Sequence, residues 1–140
     1  MLFRSRITLL IQGLADHPLQ QRATRAIYDS LLGAGMRIIE YHRSYLHAKV
    51  AVIDEHWATV GSSNIDPFSL LLAREANVVI RHPPFATRLR DSLLRAIAQG
   101  GREIHADAWQ RAPLWQRLVN WTAYGVVRLM IGIAGYGNRH

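Results

Sequence analysis

Leu46-His47-Ala48-Lys49-Val50-Ala51-Val52-Ile53-Asp54-Glu55-His56-Trp57-Ala58-Thr59-Val60-Gly61-Ser62-Ser63-Asn64 is the stretch on which the fold turns. Residues 46–53 read as a β-strand, Asp54-Glu55-His56 as a turn, and residues 57–60 as a strand that pairs back in a hairpin. Side chains alternate along a strand, so His47 and Lys49 share one face. Two polar side chains on one face of an otherwise apolar strand point to a task other than packing.

An imidazole beside an ammonium suits a phosphate. Lys49 can hold a non-bridging oxygen while His47 attacks phosphorus. Asp54 lies seven residues after His47 and by parity faces the other way, which marks it as a turn residue rather than a phosphate contact. Gly61, Ser62 and Asn64 follow the second strand. A glycine, hydroxyls and a carboxamide there can set backbone N–H groups and side-chain donors against an anion. Glu75 opens the next predicted strand and could accept a hydrogen bond from His47 Nδ1, leaving Nε2 as the attacking atom. The structural alternative for Glu75 is a surface carboxylate paired with Arg74 or Arg81.

Outward from the hairpin, residues 7–11 (Ile-Thr-Leu-Leu-Ile) are apolar on both faces, as a central strand of a covered sheet would be. Residues 18–32 predict a helix, with Pro18 in its first turn and Gly33 and Gly35 ending it. Residues 36–41 and 76–80 predict two more strands, 69–74 a short helical turn, and 83–99 a helix. The expected fold class is therefore α/β, a mixed β-sheet flanked by helices. Residues 1–100 form the expected catalytic half-domain, and its opening strand, with almost nothing before it, suggests a missing N-terminal portion. Residues 101–113 read as a polar connector. Residues 114–140 read as a C-terminal amphipathic helix with Trp115, Trp121 and Tyr124, interrupted by Arg117 and Arg128. Its longest uncharged run, residues 118–127, is too short to span a bilayer, which takes roughly 20 apolar residues. Two readings stand for this helix: it lies in the headgroup plane of a membrane, or it packs on the domain or on a partner subunit.

The 140-residue chain is 49% hydrophobic, enough for a core at this size, and has no cysteine, which removes disulfides, thiolate metal sites and cysteine nucleophiles. Its net charge of +7 favours anionic partners: phospholipid headgroups, nucleic acid or phosphorylated substrates. Nearly all of the positive charge is arginine; Lys49 is the single lysine. No secretory signal is visible, since the apolar run at residues 7–11 is too short and lacks a small-residue cleavage site.

The pattern His47-x-Lys49-x4-Asp54-x6-Gly61-Ser62-x-Asn64 resembles the phospholipase D superfamily motif at every position. Residues 56–70 and Ala73-Arg74-Glu75-Ala76-Asn77 look like the bacterial cardiolipin synthase branch. The resemblance covers residues 6–99, and Tyr124-Gly125-Val126-Val127-Arg128 in the tail is similar to that branch as well. It implies a site made from two such motifs across a pseudo-twofold axis. One histidine forms a phosphohistidine, and the other protonates the leaving alcohol and then activates the acceptor. By motif position His47, Lys49 and Asn64 are active-site residues, Ser62 joins them as a phosphate ligand, Glu75 orients the histidine, and Asp54 and Gly61 shape the motif. No metal and no cofactor is implied. The implied activity is phosphatidyl transfer onto a lipid alcohol, with an anionic, phosphatidylglycerol-like substrate. The second motif would come from another half of the enzyme or from a homodimer. The implied place is peripheral, on the cytoplasmic face of the bacterial inner membrane. Only one motif is present here, so this chain resembles a C-terminal half. A homodimeric nuclease or other phosphodiesterase is the alternative enzyme, and an inactive fragment that binds anionic membrane is the non-enzymatic one. Trp115, Trp121 and Tyr124 on a basic helix favour lipid over nucleic acid.

Overall fold

The computed structural model describes residues 6–15, 17–62 and 75–137. Strand β1 (Thr8–Gln12) runs parallel to β2 (Arg37–Tyr41), in register from Thr8 opposite Arg37 to Gln12 opposite Tyr41. Between them lie α1 (Pro18–Ala26) and α2 (Tyr28–Gly33). The expected single helix is thus broken at Ile27, whose N–H bonds to the Thr24 carbonyl three residues back. That tighter turn rotates the chain so that Tyr28, at 1% exposure, enters the core.

The residues expected to form a polar connector hold a strand and a short helix. Strand β6 (Gly101–Ile104) pairs antiparallel with β2, and an arginine–carboxylate pair, Arg37 with Glu103, links the two. The Arg37 hydrogen bonds hold the Glu103 carboxyl below its ordinary range. This strand displaces an expectation about β1. The apolar run at its centre suggests a central strand, yet in the described residues β1 lies at the sheet edge and β2 lies between β1 and β6. Ile38, Ile39 and Glu40 of β2 are accordingly buried on both faces.

The hairpin forms as its sequence suggests. Strands β3 (Val50–Ile53) and β4 (Trp57–Gly61) are antiparallel, with Ile53 opposite Trp57, and β5 (Asn77–Ile80) pairs with the far side of β4. Asp54 and Glu55 both take positive φ, as a type I′ hairpin turn requires. Residues 46–49, expected inside the strand, stay outside its ladder. The described part of β4 ends at Gly61, so no described residue faces His47 across the hairpin. The strands therefore make two three-stranded sheets, β1-β2-β6 mixed and β3-β4-β5 antiparallel, within the expected mixed α/β class. Helix α3 (Pro83–Gly100) packs against β2 and β6 of one sheet and β3 and β4 of the other. Helix α4 (Ala106–Gln110) lies against α2, and α5 (Leu114–Gly137) against α1. The helical turn expected at 69–74 lies outside the described residues.

Candidate active site

The antiparallel sheet gathers the motif at one of its ends. Gly61 N–H donates to the Lys49 carbonyl at 3.0 Å, and Ser62 N–H donates to the Ala76 carbonyl at 3.0 Å. These two bonds set Lys49, Ser62 and the Glu75–Ala76 pair on three adjacent chains, each about 5 Å from the next. Asp54 sits in the turn at the other end of β3, roughly 20 Å from His47 along seven extended residues. Its carbonyl accepts a hydrogen bond from His56 Nδ1. Asn64 lies outside the described residues.

His47 and Lys49 meet. Lys49 Nζ lies 2.8 Å from His47 Nε2 and 3.3 Å from the His47 carbonyl. An ammonium has donors only, so this contact is a hydrogen bond in the tautomer that carries its proton on Nδ1 and accepts at Nε2. In that tautomer the lone pair that could attack phosphorus is on the nitrogen facing the lysine. His47 is exposed. A phosphate arriving there would draw the ammonium onto a non-bridging oxygen and free the lone pair.

Gly61 leaves room that no other residue would leave. A Cβ there would run into the Ala76 carbonyl and the Asn77 side chain, 2.6 Å from Asn77 Cγ. Ser62 Oγ accepts from Ala76 N–H at 3.2 Å, while among the described residues its own proton has only the Ala76 carbonyl at 3.5 Å. That distance is at the limit of a hydrogen bond, so the hydroxyl proton can turn to an anion. The Glu75 carboxylate is half-buried at the entry to β5 and bonds neither His47 nor any other side chain among the described residues.

A second group of residues, not singled out in the sequence, supports the segment that carries His47. Gln12 ends β1, and its Oε1 accepts from the Leu46 N–H at 2.6 Å, one residue before His47. Gly13 N–H donates to the Tyr41 carbonyl, and the His42 ring occupies the space where a Gly13 Cβ would be, with Nε2 2.6 Å from that point. Beneath them Glu40, 3% exposed, takes two hydrogen bonds from Arg25 at 2.9 Å each and one from the Tyr28 hydroxyl at 3.2 Å. His42 Nε2 lies 3.3 Å from Glu40 Oε2 but is not aligned for a hydrogen bond. Burial first, and the Glu40 charge second, push the Tyr28 phenol well above its ordinary value. The signals for this group were present but faint: a glutamine closing an apolar strand, and a glutamate inside the strand Arg-Ile-Ile-Glu-Tyr.

A family model described as cardiolipin synthase, PLD-like domain matches residues 5–97. Cardiolipin synthase B of Escherichia coli strain K12 is 38% identical over 135 residues, which is 96% of this chain and 33% of that protein. Cardiolipin synthase B of Salmonella typhi is 35% identical over 134 residues, 96% of this chain and 32% of that protein. The minor cardiolipin synthase ClsB of Bacillus subtilis strain 168 is 34% identical over 83 residues, 59% of this chain and 21% of that protein. The chain thus spans about a third of the length of the first two relatives. No solved structure matches.

Proposed function

This chain belongs to the cardiolipin synthase, PLD-like domain family, and from that premise we propose that it supplies one half of a phosphatidyltransferase site whose nucleophile is His47. The observation that carries the reading is the 2.8 Å contact between Lys49 Nζ and His47 Nε2. It puts the ring nitrogen proposed to attack beside the side chain proposed to hold a phosphate oxygen.

In the proposed reaction Lys49 moves onto a non-bridging oxygen of a phosphatidylglycerol-like substrate. His47 Nε2 forms a bond to phosphorus, and the bond to the leaving alcohol breaks. A histidine on an opposing half gives that alcohol its proton. The same histidine then takes the proton of the acceptor hydroxyl, whose oxygen attacks phosphorus and releases His47. Glu75 accepts Nδ1–H and stabilises the ring as it gains positive charge. Ser62 and Asn64 donate to the phosphoryl oxygens. No cofactor or metal enters this scheme. The opposing histidine belongs to a second motif-bearing half or to a second copy of this chain. The substrate places the protein at a membrane surface, and we assign it peripherally to the cytoplasmic face of the bacterial inner membrane.

The test is phosphatidyl transfer on phosphatidylglycerol vesicles, with molecular mass measured in the same preparation. His47→Ala should abolish turnover and the acid-labile phosphoenzyme; residual labelling would remove His47 as nucleophile. Lys49→Ala should slow the reaction on the order of 10²–10³-fold, the usual loss for one transition-state donor. An active monomer would contradict the two-histidine scheme. Salt-sensitive DNA binding without lipid preference would replace it with the nuclease.

A further inference from the structure

Helix α5 packs on a stripe that is half polar and leaves most of its large apolar side chains outside. Its packed stripe is Arg117, Asn120, Ala123 and Val127, spaced three, three and four residues apart. Asn120 and Ala123 are each 5% exposed, and Arg117 bonds Asp29 of α2 at 3.0 Å. The outward side is mostly apolar, with Gln116, Thr122 and Arg128 as its exposed polar side chains. Leu114, Trp115, Leu118, Leu129 and Ile133 are 63–79% exposed, and Val119, Trp121, Val126 and Met130 are 38–50% exposed. More than half of the large hydrophobic side chains that are exposed among the described residues lie on this one helix. An ordinary surface helix has the opposite polarity, so this face is built to meet something other than water.

The breadth of the face identifies what that is. From Trp121 through Leu118 and Leu129 to Met130 the exposed apolar positions span about half the helix circumference at 3.6 residues per turn. A protein groove takes a narrower stripe at i, i+3, i+4 and i+7. A fluid apolar phase can wrap the whole arc. The border residues agree. Arg128 is exposed and its guanidinium lies 5.9 Å from the Tyr124 ring centroid, while Trp121 packs edge-on against Tyr124 at 5.6 Å. Arginine with tryptophan and tyrosine at an apolar boundary suits the headgroup layer. The chain's +7 charge complements an anionic leaflet. No helix among the described residues is long and apolar enough to cross a membrane.

We propose that α5 lies in the plane of an anionic bilayer, its outward face sunk into one leaflet and its packed stripe bound to α1 and α2. The choice of an anionic leaflet rests on the lipid-substrate reading above; the submerged face rests on the burial pattern alone. The test uses the full chain and vesicles of phosphatidylglycerol with phosphatidylethanolamine. The protein should co-sediment with them, and brominated acyl chains should quench Trp115 and Trp121, an effect lost in the variant Trp115→Phe/Trp121→Phe. Leu118→Glu/Leu129→Glu should lower partitioning by more than about 100-fold, since each buried leucine contributes a factor on the order of 10 or more. Both sites are exposed, so circular dichroism and the thermal midpoint should match the parent chain. Unchanged vesicle binding in that variant would overturn the proposal. So would a lipid-free dimer that the variant splits into monomers while the parent chain ignores vesicles, because the face would then be a protein interface. Vesicle binding without phosphatidyl transfer would support the anchor and overturn the reading in which a second copy of this chain completes the site. Transfer on water-soluble short-chain substrate without vesicle binding would do the reverse.

Discussion

Arg25→Met should be among the most damaging single substitutions outside the motif. Glu40 is 3% exposed on the central strand β2, and Arg25 supplies two of its three hydrogen bonds, both at 2.9 Å. Removing the guanidinium leaves a buried carboxylate with the Tyr28 hydroxyl as its remaining donor. Breaking a buried ion pair from one side costs about 3–5 kcal/mol. The Arg25 side chain is 29% exposed, which places the loss near the lower end, about 3 kcal/mol. For a chain of this length that lowers the thermal midpoint by about 10 °C. Glu40→Gln is milder, about 1–2 kcal/mol, because the amide oxygen still accepts from Tyr28 and Arg25 can turn toward water. The two changes together should cost far less than their sum, with a coupling of at least about 2 kcal/mol, since the double variant buries no charge. Urea unfolding followed by circular dichroism measures all four corners of the cycle. An Arg25→Met loss under about 1 kcal/mol, or strict additivity, would refute the assignment of Glu40 as a buried charge held by Arg25.

Three further outcomes follow from the same geometry. Gly61→Ala should cost about 2–3 kcal/mol in urea unfolding, because the new methyl meets the Ala76 backbone carbonyl, which cannot swing aside. At high pH the folded state keeps the Tyr28 proton that the unfolded chain loses near pH ~10, so stability is fully present below that pH and declines as pH rises above it; Tyr28→Phe should flatten this alkaline limb in a pH series of thermal midpoints. Gln12→Ala removes the acceptor of the Leu46 N–H and should slow phosphoenzyme formation by about five- to tenfold, the value of one hydrogen bond, while leaving the overall fold intact by circular dichroism.

Local patterns in the sequence are informative where one element carries its own signal. The hairpin was legible because alternation and turn residues agree over residues 50–60, although the expected strand began too early at residue 46, and α5 was legible because its aromatic and apolar periodicity is long. What escaped depended on partners distant in sequence. Strand β6, Gly-Arg-Glu-Ile, is too short and polar to announce itself, and it becomes a strand by pairing with β2 and matching Glu103 to Arg37. The break at Ile27 follows from the demand that Tyr28 reach Glu40, twelve residues away. Within the site, close spacing alone brings His47 and Lys49 together, since residues two apart need no tertiary information, although neither lies in the β3 ladder. Gln12 reaches across 34 residues to Leu46, and no spacing rule within one strand could find it.

The short helix α2 connects the two parts of the molecule that the proposals concern. Tyr28 donates to Glu40 beneath the segment that carries His47 and stacks on Trp109 of α4 at 5.1 Å. The neighbouring Asp29 accepts from Arg117 of α5. Arg117 on the packed stripe of α5 thus ties that helix to the same element that braces β2, with its mostly apolar side outward. An α5 packed the usual way would bury its leucines against α1 and would leave Asp29 without its guanidinium partner. The inverted helix and the buried Glu40 are thus two ends of one packing solution. In it the contacts Arg117–Asp29 and Tyr28–Glu40, on neighbouring residues of α2, join the proposed lipid-facing helix to strand β2.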